Sequence, residues 1–93
     1  MPKYVIERNI PGAGTFTTDQ LHEISCASNG VLAEMAPRVQ WQQSFVTDDK
    51  IYCVYIAEDV EAVREHARRG GFPADSVSRV SAVIDPSSGE AAQ

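Results

Sequence analysis

The two histidines are the side chains of this chain that could take part in the widest range of chemistry. His66 follows Val63 by three positions in a segment with helical periodicity, so it lies at the edge of a predicted buried stripe. There it could bind a metal ion or act as a general acid or base. The alternative is a partly buried histidine that makes one structural hydrogen bond. Neighbouring Glu65 faces another direction on a helix, so a carboxylate partner for His66 must come from elsewhere in the fold.

Glu7 and His22 are two further candidate metal ligands. Glu7 lies in the middle of a predicted strand, where a carboxylate must be either paired or exposed. Its alternative role is a salt bridge to Arg8 or Arg79. His22 precedes Cys26 by four positions, so one helix face could present an imidazole and a thiol. The alternative is a surface histidine beside a half-buried thiol, since the chain has no HExxH or paired CxxC motif.

Aromatic residues of the predicted sheet are candidates for binding an organic ligand. Trp41, Tyr52 and Tyr55 are close in sequence and offer large apolar surfaces with polar tips. They could line a cavity between two packed sheets, in which His66 would serve as an acid or base. Packing in an ordinary core is the alternative.

These residues are carried by six predicted elements. Tyr4–Ile10 is rich in β-branched and aromatic residues, and Thr17 with Gln20 has the spacing of a capping box at the start of a helix. The predicted order is strand Tyr4–Ile10, helix 18–36, strand Val39–Val46, strand Lys50–Ala57, helix 59–69 and strand Val77–Ile84. This βαββαβ order predicts a ferredoxin-like, split βαβ α+β fold, with a four-stranded antiparallel sheet and two helices on one face.

The predicted hairpin suggests how the open face of the sheet is covered. In its first strand, Trp41 and Phe45 are predicted to share one face. Its second strand is apolar on both faces, with Ile51, Cys53, Tyr55 and Ala57 on one side and Tyr52, Val54 and Ile56 on the other. An apolar face left by the helices needs a cover, and a second copy is the simplest one. We therefore predict a homodimer in which two such sheets pack face to face.

Composition narrows the class of protein. The 93 residues, 43% of them apolar, suit one domain over residues 1–86 followed by a flexible polar tail over residues 87–93. A net charge of −5 disfavours nucleic acid and anionic lipid as partners. The N-terminal residues contain no apolar stretch as long as a signal peptide or membrane span. We therefore expect a cytoplasmic protein with Cys26 and Cys53 as thiols.

Three longer stretches carry a resemblance to a known family. They are YVIERNIPGA at the start, WQQSFVTDDKIYCVYIAED in the hairpin and VREHARRGGFPADSVSRVSAVIDP near the end. With these motifs the chain resembles, over about residues 3–86, a bacterial domain-of-unknown-function family of small dimeric ferredoxin-like proteins that includes an actinobacterial nickel-binding protein. The resemblance implies a dimeric α+β barrel and binding of nickel or a similar divalent metal through oxygen and imidazole ligands. His66 within REHARRGGFP is the best match to a functional position, and Glu7 within VIER is second.

Three functions are therefore open. The first is a small dimeric protein that binds a divalent transition metal, nickel first among them, without catalysis. The second is a small dimeric α+β barrel enzyme or carrier that binds an organic ligand in the interface cavity, with His66 as acid or base. The third is an interaction module without a small-molecule site. The sequence leaves open whether the protein is an enzyme.

Overall fold

A computed structural model describes residues 1–90 of the chain. Its elements, in chain order, are strand β1 (Lys3–Asn9), a 3-10 turn (Ala13–Thr15), helix α1 (Thr18–Met35), strand β2 (Val39–Val46), strand β3 (Lys50–Ala57), helix α2 (Val60–Gly70), strand β4 (Ser76–Arg79) and a second 3-10 turn (Pro86–Gly89). The predicted elements are present with ends that agree within one residue, except for the end of the last strand.

Local signals in the sequence set the helix ends. At the start of α1, Gln20 N donates to Thr17 Oγ1 and Thr17 N donates to Gln20 Oε1, which completes the predicted capping box. The Asp59 side chain accepts from Ala62 N at the start of α2. Gly71 ends α2 with a φ of 69°, a left-handed conformation that costs glycine little.

The four strands form one antiparallel sheet in the order β2-β3-β1-β4. In β1, Ile6 lies between Cys53 of β3 and Val77 of β4. Both helices pack on the face that carries Tyr4, Ile6 and Tyr55, where Val31 of α1 and Val63 of α2 complete the core. This arrangement confirms the predicted ferredoxin-like α+β fold.

The two faces of the sheet differ in burial. On the helix-covered face, alternate residues of β3 from Ile51 to Ala57 are all buried. On the open face, Tyr52, Val54 and Ile56 of the same strand are only half-buried, and Val5 beside Val54 is half-buried as well. The apolar open face anticipated from the sequence is therefore present in the protomer.

The predicted facing of the β2 aromatics was wrong. Trp41 pairs with Tyr55 on the helix-covered face, whereas Phe45 pairs with Tyr52 on the open face and is 53% exposed. The cause is a β-bulge between Trp41 and Gln43, which leaves Gln42 without a partner and shifts the alternation by one residue.

The last strand is also shorter than predicted, since it ends at Arg79 rather than Ile84. Its pairing runs along β1 to Arg79 opposite Tyr4, and Val80 N still donates to Lys3 O. Beyond that point β1 has no residues left to pair, because Lys3 is its first residue. Without a neighbouring strand, the β-branched run that follows stays outside the sheet.

After β4, Val80 is half-buried and residues 81–90 are exposed. Val83 and Ile84 are 69% and 83% exposed, and the Pro86–Gly89 turn that follows is capped by Asp85. Of the tail predicted over residues 87–93, positions 91–93 lie outside the described residues. Neither helix in residues 1–90 has the length and apolar character needed to cross a membrane.

Candidate functional site

His66 lies in the centre of the molecule rather than at its surface. It projects from the inner face of α2, between buried Val63 and Ala67, and is fully buried. Its Nε2 lies 3.2 Å from Ser28 Oγ of α1, and its ring centroid lies 5.1 Å from Tyr55 and 5.6 Å from Phe72. Its Nδ1 has no hydrogen-bond partner within the described part of the chain.

The surroundings of His66 favour the neutral imidazole. Burial lowers the pKa of His66 below its ordinary value, and the positive charge of Arg8 lowers it further. Glu65, the next residue along the chain, pairs instead with Arg38 and Arg69. Within residues 1–90, no ion pair gives His66 a carboxylate partner that would stabilise its positive charge.

Arg8 is a buried cation on the same side of the sheet. It follows Tyr4 and Ile6 on the inward face of β1 and is only 3% exposed. Its Nε donates to Cys53 Sγ at 3.4 Å, its Nη2 to Tyr55 Oη at 3.4 Å and its Nη1 to Pro73 O. The guanidinium also lies 5.5 Å from the centroid of the Phe72 ring.

None of the four ion pairs among the described residues includes Arg8. A buried charge without a counter-ion is costly, and hydrogen bonds to neutral groups recover only part of that cost. From the sequence, Arg8 was a candidate only for a salt bridge to Glu7. The strict alternation of Tyr4, Ile6 and Arg8 was the signal that would have placed it inside.

A cavity of about 190 Å³ lies between α1 and the helix-covered face of the sheet. Arg8, Ser28 and Tyr55 line its inner part, close to His66, which itself is not among the lining residues. Its remaining wall is mostly apolar and includes Leu21, Ile24, Trp41, Ile51 and Phe72. Leu21, Ile24 and Trp41 are partly exposed, so this end of the cavity faces solvent.

A close approach of backbone and ring fixes one wall of the cavity. Phe72 packs so tightly on Gly70 that an added Cβ there would lie 2.2 Å from Phe72 Cε2. The ring is thereby held against both His66 and Arg8.

The predicted aromatic ligand residues divide between the two faces of the sheet. Trp41 and Tyr55 are paired neighbours that both line the cavity, and Trp41 Nε1 donates to Ser44 Oγ at 2.9 Å. Tyr52 lies on the open face beside Glu7. The residues that line this cavity all belong to a single chain, whereas the sequence predicted a ligand between two packed sheets.

The predicted metal ligands occupy three separate places. Glu7 lies on the open face, where it forms an ion pair with Lys50 rather than with Arg8 or Arg79. This pair raises the pKa of Lys50, first through the hydrogen bond to Glu7. Glu7 and His66 lie on opposite sides of the sheet, so one protomer does not bring them to the same ion.

Among the three predicted metal ligands, His22 has a second potential metal donor, Cys26, next to it. It is exposed on α1, and its Nε2 lies 3.4 Å from Sγ of the exposed Cys26. Within residues 1–90, no group of three or more His, Cys, Asp or Glu side chains is positioned to share a metal ion. The pair therefore supplies two donors, and further ligands would come from water or another molecule.

The fold and the buried polar cluster define a small ferredoxin-like α+β protein with a ligand-sized cavity. The family model described as nickel responsive protein SCO4226-like matches residues 4–80, and the chain belongs to this family. The crystal structure of SCO4226 from Streptomyces coelicolor A3(2) is similar, with a TM-score of 0.75 and 25% sequence identity. The match covers 88% of this chain and 99% of SCO4226. The comparison with curated proteins gave no match.

Proposed function

We propose that this chain is a homodimeric, non-catalytic protein that binds a divalent transition metal, with nickel as the first candidate. The observation that carries the proposal is membership of a nickel responsive family over residues 4–80. The net charge of −5 is consistent with attraction of a cation to the surface.

Within the protomer, the His22–Cys26 pair has the donor chemistry that such a site needs. Imidazole nitrogen suits nickel, and soft thiolate sulfur binds several transition metals. The 3.4 Å between Nε2 and Sγ fits two ligands that each lie about 2.0–2.3 Å from one ion. Both side chains are exposed, so a metal reaches them without opening the core.

His66 fits a metal less well than His22 does. An ion at its buried Nδ1 would be repelled by the nearby positive charge of Arg8, and no ion pair within residues 1–90 places a carboxylate at His66 to offset this repulsion. Glu7 is already paired with Lys50 on the open face. Both remain predicted ligands, and both belong in the test.

The test is calorimetric titration of nickel into tag-free, chelator-treated protein. We expect a dissociation constant in or below the micromolar range, which corresponds to a binding free energy of about 8 kcal/mol. The affinity should fall at least tenfold in His22→Ala and in Cys26→Ser. Glu23→Gln, on the same helix, is the matched control and should retain wild-type affinity.

Two further variants separate the competing locations. Loss of binding in His66→Gln or Glu7→Gln, with His22→Ala unaffected, would move the site to that residue. No measurable heat with the wild-type protein would overturn metal binding itself. A thiolate-to-metal absorption band that is absent from Cys26→Ser would support the proposed sulfur ligand independently of the heats.

Two apolar surfaces support the homodimer. The open face of the sheet exposes part of Val5, Val54 and Ile56, and the segment after β4 exposes Val83 and Ile84. In a closed twofold dimer, the apolar surfaces of one copy would cover the equivalent surfaces of the other.

A further inference from the structure

We propose that the cavity between α1 and the sheet binds a small monocarboxylic acid with an aromatic or branched apolar body, and that Arg8 is the counter-ion of its carboxylate. This site is separate from the proposed metal site, and it does not depend on metal binding.

The first step of the argument is the charge of Arg8. A guanidinium has five N–H donors, and the three contacts of Arg8 go to a sulfur, a phenol oxygen and a carbonyl oxygen. None of the three acceptors is a carboxylate, and two of the contacts are long at 3.4 Å. A bound carboxylate would supply the negative charge that the described residues do not place beside Arg8.

The second step is the distribution of polarity along the cavity. Its inner part combines Arg8 with the hydroxyl groups of Ser28 and Tyr55, whereas Leu21, Ile24 and Trp41 form an apolar outer part. Burial raises the pKa of Tyr55, so its phenol stays protonated and can donate to a carboxylate. Such a cavity matches a ligand with one anionic end and one apolar end.

The third step is size. An apolar cavity of about 150 Å³ is large enough to bind benzene, and this cavity measures about 190 Å³. A benzoate-sized acid fits this volume, whereas a nucleotide or a long fatty acid does not. A single cation also makes a monoanion a better match than a phosphate ester.

Trp41 provides a direct readout, since it is the single tryptophan of the chain and lines the cavity. We would titrate benzoate into chelator-treated protein and follow Trp41 fluorescence and amide chemical shifts. Benzamide, a neutral compound of the same shape, is the ligand control. We expect saturable binding of benzoate at least tenfold tighter than benzamide, a difference of about 1.4 kcal/mol.

Three variants test the location of the site. Arg8→Met should remain folded and lose benzoate binding at least tenfold. Ser25→Leu, which fills the cavity but keeps Arg8, should lose it as well, since Ser25 lines the wall. Arg64→Met removes the same charge from an exposed position of α2 and should bind as the wild type does.

Equal affinity for benzoate and benzamide would overturn the role of Arg8 as counter-ion. Benzoate binding that survives both Arg8→Met and Ser25→Leu, or the absence of saturable binding in the wild type, would overturn the site. The protein is chelator-treated and no metal is added, so these outcomes are independent of the nickel titration.

Discussion

His66 and Arg8 are two ionisable side chains buried in the same core. Burial lowers the pKa of His66 and so favours its neutral form, whereas the guanidinium of Arg8 is charged and donates to Cys53, Tyr55 and Pro73. Their stability effects should therefore differ in kind. The first depends on pH, and the second depends on the presence of a counter-ion.

The lowered pKa of His66 predicts a loss of stability in mild acid. The unfolded chain binds a proton at His66 near its ordinary pKa of about 6.5, whereas the folded chain resists it. The stabilising contribution is thus fully present above that pH and is lost as pH falls towards the folded pKa. We expect the free energy of unfolding, measured in urea, to decrease between pH 7 and 5.5.

The variant His66→Gln keeps a group that can bond to Ser28 but does not titrate, so its stability should change less over this range. His22→Gln, which removes the exposed histidine, is the matched control. Equal slopes in the wild type and His66→Gln would contradict the assignment.

Removing the charge of Arg8 should not destabilise the fold. Replacement of buried ionic groups by apolar side chains of similar volume is often neutral or stabilising by about 1–4 kcal/mol. We expect Arg8→Met to unfold at the same or higher urea concentration than the wild type. A loss larger than about 1 kcal/mol would instead show that the hydrogen bonds and the stacking on Phe72 outweigh the cost of burying the charge.

Among the elements, α1 is held at its start by side-chain hydrogen bonds that can be removed singly. Thr17→Ala deletes the acceptor of Gln20 N and should lower the free energy of unfolding by about 1 kcal/mol. Thr18→Ala changes the same residue type one position later, where the side chain is exposed and no such bond is present in the described structure. Chemical denaturation of the two variants should differ clearly, and equal stabilities would contradict the role of the capping box.

Element order and helix limits could be predicted because they rest on local patterns. Apolar periodicity, the capping box and Gly70-Gly71 all act within a few residues of the structure they specify. The end of β4 could not be predicted this way, since it depends on where β1 begins in another part of the chain. The bulge at Gln42 could not be predicted for the same reason, because it depends on how β2 pairs with β3.

The candidate site was predicted only in parts for a related reason. Tyr55 does lie beside both Trp41 and His66, but the cavity arises from the gap that α1 leaves over the sheet. Sequence periodicity identifies inward residues without giving the distance between layers. Glu7 and His22 were sound candidates by residue type, and only the three-dimensional structure separates them from His66.

For the molecule as a whole, the apolar open face predicts self-association. Val54→Lys places a charge at a half-buried position of this face, beside Val5, and should convert the dimer into a folded monomer. Sedimentation velocity gives the mass and circular dichroism checks the fold. Glu34→Lys, on the exposed side of α1, is the matched control and should stay dimeric. A wild-type protein that is monomeric at all concentrations tested would contradict the prediction.

The bulge in β2 has a consequence for how this chain tolerates changes in length. On either side of Gln42, Trp41 and Ser44 both face the helices because the additional residue bulges out of the ladder. Deleting Gln42 would leave a regular strand in which all the remaining residues of β2 face the same side of the sheet as they do now. A relative with one residue fewer at this point would therefore retain both the cavity wall and the outer surface. The bulge is thus a position where one residue can be inserted without exchanging the two faces of the strand.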